Sequence, residues 1–382
     1  MKRKIWNWLT GSGRQKGEQA QGTGILLLGG LVLAFILGGC GRAQPGRVKH
    51  VDTAMGTVIR QDLYVCGETD YCGDILRLLG ELEGAELSWR LETSQVYRIN
   101  HATGDAAGER RIPVTEEMAG ILGQCLELTR KSNGAFDVTL GEVVRLWDID
   151  SYAAGTKVEP GDFRVPGEQE LQEALSRCGS HRMRLESDTG NTGIAEDTGN
   201  TGNPSLYMPE GMQLDLGAVG KGIALDRIRE YLQGQPGVTG AVVSVGGSIL
   251  TYGEKPDNSS FRIGILDPAE PSRNIGILTL DGEWCISTSG DYERYVEVEG
   301  VRYHHILDPA TGYPADSGVR SVTVLSQDGL LSDGLSTACF ILGEEKGMAL
   351  AKEYGVHVLF VLEDGRILMS PGMETFFQLL SG

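Results

Sequence analysis

The stretch LDLGAVGKGIALDRIREYL, residues 214–232, combines residue types that bind anions with the pattern of a helix start. Asp215 is followed by glycines at positions 217, 220 and 222, which enclose Lys221 and lead into a helix with one apolar face. Backbone N–H groups at a helix start are unpaired and lie at the positive end of the helix dipole, and Lys221 adds a full charge. The stretch therefore predicts an anion site, of which a phosphate site is the usual kind.

The glycine spacing excludes one phosphate motif and leaves a simpler alternative open. A Walker A loop has wider glycine spacing and a hydroxyl residue after its lysine, whereas Gly222 follows Lys221 here. The alternative is a tight turn between a strand and a helix with a solvated lysine, since such turns are common.

Two further stretches carry groups for metal binding and for proton transfer. Asp333 and Thr337 are four residues apart in an apolar helical run, so their oxygens project from one face, as Mg²⁺ ligands would. The alternative is an Asp that satisfies backbone donors at a helix start, with Thr337 merely buried. His305 lies just before a Pro/Gly turn, and it is either structural or a base with a near-neutral pKa. His304 should point to the opposite side of an extended chain, so its replacement should be mild.

The elements that must position these groups are helices mixed with meandering strands. Helical spacing predicts helices over 72–87, 115–131, 168–176, 330–342 and 344–354, and alternating runs predict strands from Val51 onward and through residues 241–326. Residues 187–204, which contain DTGNTG twice, read as a flexible insertion in a hairpin between 183–185 and 206–208. We therefore predict one α+β domain over 51–382, with mixed, largely antiparallel sheets flanked by helices.

The N-terminus has the pattern of a lipoprotein signal peptide over residues 1–39. A basic head precedes a 13-residue apolar run, 25–37, which ends in Leu-Gly-Gly-Cys at Cys40. This run is shorter than the roughly 20 residues that span a bilayer and typical of a secretory signal. We predict cleavage before Cys40, a lipid on its sulfur, a tether over 40–50, and a position on the extracytoplasmic face of the cell membrane. An uncleaved anchor helix is the alternative.

The charge balance restricts the partners. The formal net charge is −18, and residues 1–39 carry five basic groups and one acidic group, so the remainder carries −22. A body this acidic does not bind nucleic acid nonspecifically and is repelled by anionic lipid, so attachment to a membrane requires the lipid anchor. Together with an anionic ligand, this charge indicates a need for a divalent cation.

The sequence leaves undecided whether Cys66 and Cys72 form a disulfide.

Seven motifs, taken in order, resemble those of the ApbE family of FAD:protein FMN transferases. They are MGT (55–57), GAFDVT (134–139), DLGAVGKG (215–222), VGGSI (245–249), STSGDYERY (287–295), HILDPATGYP (305–314) and SDGLSTACFILG (332–343). The resemblance covers residues 48–382 and implies an ApbE-like α+β fold with a T-fold-like core.

The resemblance also implies a reaction and its residues. A family member splits FAD, attaches the FMN half through a phosphoester to a Thr or Ser hydroxyl of an exported or membrane flavoprotein, and releases AMP. By position, the implied FAD contacts are Met55, Ala135, Phe136, Asp137, Asp215, Lys221 and Leu307. The implied Mg²⁺ ligands are Asp333, Thr337 and the carbonyl of Ala218, and His305 is the implied base.

The chain departs from the family pattern at two places. Ser88-Trp89-Arg90 stands where many members carry a tyrosine, so an aromatic stack would shift to Trp89 or become an Arg90 contact. Ser336 stands where some members carry a further carboxylate. Two other functions stay open: a pyrophosphatase that hydrolyses FAD to FMN and AMP, and a non-catalytic FAD-binding lipoprotein.

Overall fold

The computed structural model describes residues 45–106, 108–153, 163–186 and 204–380. The predicted signal peptide, Cys40 and residues 187–203 of the predicted insertion lie outside the described residues. The strands in the described part are β1 (Gly46–Ala54), β2 (Thr57–Val65), β3 (Glu109–Pro113), β4 (Arg184–Glu186), β5 (Ser205–Pro209), β6 (Val238–Val245), β7 (Ser248–Gly253), β8 (Phe261–Leu266), β9 (Asn274–Leu280), β10 (Trp284–Gly290), β11 (Tyr295–Val298), β12 (Val301–His304), β13 (Val319–Ser326), β14 (His357–Leu362), β15 (Ile367–Met369) and β16 (Phe377–Leu379).

The α-helices of the same part of the chain confirm the predicted helical segments and add short ones. They are α1 (Tyr71–Leu82), α2 (Gln95–Asn100), α3 (Glu116–Lys131), α4 (Gly141–Trp147), α5 (Ile149–Ala153), α6 (Glu168–Ser176), α7 (Gly220–Gln233) and α8 (Gly329–Tyr354). A π-helical turn over Glu83–Leu87 continues α1, as the prediction over 72–87 required. The side chain of Thr115 accepts a hydrogen bond from the N–H of Met118 and so caps α3.

An antiparallel eight-stranded sheet organises the domain, in the order β1-β2-β6-β7-β10-β13-β14-β15. Helices α7 and α8 contact each other and the strands in the middle of this sheet. Side chains of β10 and β13 alternate between two apolar clusters, because successive residues of a strand point to opposite faces. Cys285 and Val324 pack on the helix side, while Ile286 and Leu325 pack against the small sheet β16-β9-β8. The α+β class with largely antiparallel sheets is therefore confirmed.

Two local predictions are confirmed by backbone geometry. Gly343 interrupts α8 with φ 76° and ψ −172°, values that glycine adopts readily, so the helix consists of two segments as predicted. β4 pairs with β5 in an antiparallel arrangement, from Glu186 opposite Ser205, as predicted for a hairpin that carries the insertion.

The predicted tether over 40–50 is wrong in its second half. β1 begins at Gly46 and pairs with β2 from Gly46 opposite Val65 to Ala54 opposite Thr57. From Gly46 to Thr53 every side chain of β1 is exposed, and Val51 is 64% exposed. A strand at a sheet edge with no buried face has no alternating pattern, which is why the sequence did not show where it begins.

Two further observations concern the described residues only. Cys72 is a free thiol, so the disulfide between Cys66 and Cys72 that the sequence left undecided is not formed. None of the helices described is both long enough and apolar enough to cross a bilayer.

Candidate active site

The start of α7 lies against the start of α8, and glycines make this approach possible. A Cβ atom on Gly222 would overlap the carbonyl oxygen of Gly329, and a Cβ on Gly329 would overlap the carbonyl oxygen of Gly222. The N–H of Gly222 donates to Oδ2 of Asp333 across this crossing, at 3.0 Å. One donor of the predicted anion site is therefore used by a side chain of the protein, and the glycine spacing also serves helix packing.

Asp333 is a buried carboxylate held from three directions. It is 1% exposed, and its Oδ1 accepts from the Ser248 hydroxyl at 3.2 Å, while Oδ2 accepts from Gly222. The ammonium of Lys221 lies 3.4 Å from Oδ1 and compensates the buried charge. Asp333 therefore lies beneath the surface that Lys221 reaches, where a charge is stable only when paired.

Three oxygen groups at this crossing fit a hard cation. Because the N–H of Gly222 turns to Asp333, the carbonyl of Ala218, four residues earlier, receives no hydrogen bond from α7. The hydroxyl of Thr337 lies one helical turn beyond Asp333 and lines the same cleft as Ala218. Carboxylate, hydroxyl and carbonyl oxygens are the donors that Mg²⁺ takes, together with water or phosphate oxygens. No group of three or more His, Cys, Asp or Glu side chains that could hold a metal ion occurs among the described residues.

A cleft with a volume of about 380 Å³ opens above this crossing. Ten of the eleven predicted FAD, metal and catalytic residues line it: Met55, Ala135, Phe136, Asp137, Asp215, Ala218, Lys221, His305, Leu307 and Thr337. The eleventh, Asp333, lies beneath the floor. The structure thus brings together residues that are separated by nearly the whole length of the domain, while their individual roles stay predictions.

His305 presents a neutral nitrogen to the cleft. Its Nδ1 lies 3.2 Å from the carbonyl oxygen of Arg294, and since a carbonyl only accepts, Nδ1 carries the proton and Nε2 is left as an acceptor. Burial, with the positive charges of Arg294 and Lys221, lowers the pKa of His305 well below its usual value. The imidazole is therefore uncharged at neutral pH and can accept a proton.

His304 is a structural histidine outside the cleft. Its Nε2 donates to the carbonyl of Ala315 at 3.1 Å, and its Nδ1 accepts from the N–H of Ile306 at 3.3 Å. The ring is 7% exposed and meets Phe340 edge-on. The predicted orientation away from His305 is confirmed, and the mild effect on FAD binding and FMN transfer expected from replacing His304 stays a prediction.

Asp137 and Asp215, two of the predicted FAD contacts, also accept hydrogen bonds from groups of the protein. Both carboxylate oxygens of Asp137 accept hydrogen bonds, from Thr139 at 2.7 and 2.8 Å and from the N–H of Ser180 at 3.0 Å. They tie the cleft wall at Phe136 to a neighbouring turn. Asp215 accepts from the N–H of Gly217 at 2.6 Å, and burial raises its pKa.

Several charged residues that line the cleft have no role assigned from the sequence motifs. Arg294 pairs with Asp150 at 2.9 Å, which joins α5 to the loop after β10. Burial raises the pKa of Glu293, whose Oε1 would lie only 2.6 Å from a Cβ on Gly247. Glu293 and Arg294 belong to the motif STSGDYERY and Gly247 to VGGSI, so the resemblance marked these segments without giving them a function.

Trp89 and Arg90 line the cleft at the place where the family pattern has a tyrosine. The guanidinium of Arg90 lies 4.1 Å from the centre of the Trp89 ring, and that of Arg145 lies 5.5 Å from it. The indole is therefore already in contact with cations, and a planar ligand ring would meet Arg90 as well as Trp89.

Comparisons with known proteins place these features in context. A sequence model described as the ApbE family matches residues 55–360. The FAD:protein FMN transferase of Treponema pallidum is 33% identical over 358 residues, which are 90% of this chain and 93% of that protein. The protein of the same name from Vibrio cholerae is 31% identical over 338 residues, 87% of this chain and 92% of the relative.

Solved structures agree with the sequence comparisons. The crystal structure of the ApbE protein from Thermotoga maritima has a TM-score of 0.71 at 32% identity and covers 87% of this chain and 99% of that one. The apo crystal structure of the Pseudomonas stutzeri flavinyl transferase ApbE has a TM-score of 0.71 at 27% identity, with coverages of 89% and 99%.

Proposed function

The chain belongs to the ApbE family, and on this premise we propose that it transfers the FMN half of FAD to a Thr or Ser hydroxyl of an acceptor flavoprotein. The transfer forms a phosphoester and releases AMP. The observation that carries the proposal is that the neutral imidazole of His305 and the oxygen groups of Thr337 and Ala218 line one cleft. A protein that only stores FAD needs neither a base nor a cation site.

The cleft offers apolar walls and a cation for a ligand with rings and phosphates. Met55, Phe136 and Leu307 supply apolar surface, which suits planar ring systems. Lys221 reaches the cleft from the first turn of α7, where its charge and the helix dipole favour a pyrophosphate. FAD combines these features in one molecule.

His305 would act as the base in the transfer. The acceptor hydroxyl gives its proton to Nε2 while its oxygen attacks the flavin-side phosphorus, and the bond to the AMP phosphate breaks with its electron pair leaving on AMP. The Nδ1–H stays on the Arg294 carbonyl and holds the ring in place. The low pKa of His305 means that the proton is passed on readily to solvent or to AMP.

Asp333, Thr337 and the Ala218 carbonyl would hold Mg²⁺, which when bound supplies charge neutralisation for the pyrophosphate. The chain itself contributes charge at the same place. Lys221 compensates Asp333 in the absence of other cations and lies where phosphate charge has to be accommodated. An acidic protein that binds an anionic ligand depends on such local cations.

We also propose that the protein is exported and anchored to the membrane by a lipid. The signal pattern that ends at Cys40 supports export and attachment of a lipid, and the net charge of −22 in residues 40–382 supports an anchor other than a basic patch. The acceptor would then be an exported or membrane-bound flavoprotein.

A single assay separates the candidate reactions. The full chain is incubated with FAD, Mg²⁺ and a flavoprotein domain that carries a flavinylation threonine, and products are read by in-gel flavin fluorescence and by AMP chromatography. Transfer gives a fluorescent acceptor band and AMP in equal amounts, and a Thr→Val acceptor stays dark. AMP and free FMN without a labelled acceptor would indicate a pyrophosphatase, and neither product would indicate storage.

A further inference from the structure

Two pairs of buried hydroxyls join β10 to the first half of α8. Ser287 Oγ lies 2.8 Å from Ser332 Oγ, and Ser289 Oγ lies 2.7 Å from Ser336 Oγ. Only the second pair reaches a predicted metal ligand, since Ser289 Oγ is also 3.3 Å from Thr337 Oγ1. The two pairs therefore have the same chemistry and differ in whether they contact the cation site.

The direction of each proton in the second pair follows from its end point. Ser336 donates to the backbone carbonyl of Asp333 at 2.8 Å, and a carbonyl can only accept. The proton of Ser336 is thereby used, so the 2.7 Å bond between Ser289 and Ser336 must use the proton of Ser289. Ser289 then has no proton left to donate to Thr337.

Thr337 is consequently a donor within this network. Its hydroxyl proton goes either to Ser289 Oγ at 3.3 Å or to the Asp333 carbonyl at 3.4 Å. In both cases the proton is directed into the protein, and neither serine occupies a lone pair of Thr337 Oγ1. A metal ion requires this arrangement, because a hydroxyl binds a cation through its lone pairs and not through its proton.

We propose that Ser289 and Ser336 are positioning residues that direct the Thr337 proton inward and leave its lone pairs for a hard divalent cation. This inference rests on the Mg²⁺ site of the proposed function. Ser248 and the N–H of Gly222 orient the Asp333 carboxylate in a comparable way, by donating to its two oxygens. Groups that orient metal ligands typically change metal affinity by roughly 10 to 100-fold when they are removed.

The chain provides a matched control on the same strand. Ser289→Ala and Ser287→Ala each remove a buried hydroxyl from β10 and its bond to a serine of α8, but only Ser289→Ala also removes a partner of Thr337. Mn²⁺ binding to the full-length protein without FAD is measured by the loss of the free Mn²⁺ signal in electron paramagnetic resonance. Ser289→Ala should weaken binding about tenfold, the low end of that range, and Ser287→Ala less than about twofold.

Two more variants test the relay itself. Ser336→Ala should also weaken Mn²⁺ binding, because Ser289 is then free to donate its proton to Thr337. The double variant Ser289→Ala/Ser336→Ala should be no weaker than the worse single variant, since both residues act through one network. Ser289→Thr keeps a hydroxyl at this position and should keep most of the affinity. If Ser289→Ala does not fold, Ser336→Ala and Ser289→Thr still decide the question.

The outcomes separate this inference from the proposed function. Equal Mn²⁺ affinity in the parent and Ser289→Ala, or equal losses in Ser289→Ala and Ser287→Ala, would overturn the positioning role while leaving the metal site intact. A parent protein that transfers FMN but binds no Mn²⁺ would overturn the metal site and this inference with it. Failure of FMN transfer alone, with the expected Mn²⁺ pattern, would count against the proposed function only.

Discussion

Two regions of the site are stabilised in different ways. One is the crossing of α7 and α8 together with β10, and the other is the loop wall of the cleft, formed by Arg90, Asp150 and Arg294. At the crossing, Asp333 and Ser289 are buried and hydrogen-bonded to the hydroxyls of Ser248 and Ser336. In the wall, Arg90 is exposed, and Arg294 reaches Asp150 through a partly exposed ion pair. Buried bonds keep their strength and geometry, whereas exposed charges are screened by water and salt. The crossing should therefore control the chemistry, and the wall should tune ligand affinity.

The largest expected effect is at Asp333. Asp333→Asn keeps the shape and an oxygen for the Gly222 N–H but loses the charge that a divalent cation needs. FMN transfer at saturating Mg²⁺ should fall roughly a thousandfold, since metal charge stabilisation is worth several kcal/mol. Asp226→Asn is the matched control, because Asp226 also accepts from backbone N–H groups, those of Gly329 and Leu330, and does not line the cleft. Transfer within a few-fold of the parent in Asp333→Asn would remove Asp333 from the metal site.

Replacing His305 should separate proton transfer from FAD binding. His305→Ala should bind FAD nearly as well as the parent and transfer FMN roughly a hundredfold more slowly, the low end of the general-base range. FAD affinity is measured by flavin fluorescence quenching, and transfer by in-gel fluorescence. Loss of FAD binding in this variant would mean that His305 holds FAD and is not only the base.

The pH profile tests the same residue without a substitution. Burial, Arg294 and Lys221 lower the pKa of His305 well below 6.5, so the neutral form that accepts a proton persists as the pH falls through 6.5. The transfer rate should therefore hold at pH 6.5 and decline only at lower pH, as the imidazole is finally protonated. An acid limb centred at or above pH 6.5 would contradict the buried, charge-flanked position of His305.

His304 should affect stability and not chemistry. His304→Ala removes two buried hydrogen bonds and leaves the Ile306 N–H and the Ala315 carbonyl without partners. The free energy of unfolding should fall by about 2 to 6 kcal/mol, because each of the two buried groups left unpaired costs about 1 to 3 kcal/mol. Urea unfolding measures this change, and His50→Ala, at an exposed position, should change the value by less than about 0.5 kcal/mol. A larger defect in transfer than in His305→Ala would reverse the two assignments.

The wall should show the smallest effect within the cleft. Asp150→Asn breaks the ion pair with Arg294, in which both side chains are partly exposed. Exposed pairs contribute about 0.2 to 1 kcal/mol, so FAD affinity should change by no more than about fivefold, and less at high salt. A change of fifty-fold or more in the fluorescence titration would show that the wall is as rigid as the crossing.

Parts of the fold and site could be predicted because their signals are local. The helical patterns of 115–131 and 168–176 depend on nearby residues, and both helices are confirmed. The clustering of motif residues in one cleft followed from resemblance. Alternation placed His304 opposite His305, but it could not show that Phe340 buries that side.

Other features depend on contacts between distant segments. Ser289 and Ser336 are ordinary polar residues in a strand and a helix, and only the packing of α8 on β10 makes them partners. The sequence pattern predicted Gly222 as a turn residue, yet its lack of a side chain also allows the close contact with Gly329. Such relations carry no local pattern.

The exposed edge strand β1 decides where a shortened form of this protein can begin. A chain that starts at Val51, the boundary suggested by its sequence pattern, would lose the pairing of residues 46–50 with residues 61–65 of β2. The N–H and C=O groups that β2 turns toward β1 would then lie open along half its length, and an open edge recruits strands from other molecules. Laboratory samples should begin before Gly46 to remain monodisperse, which light scattering of the two lengths would show.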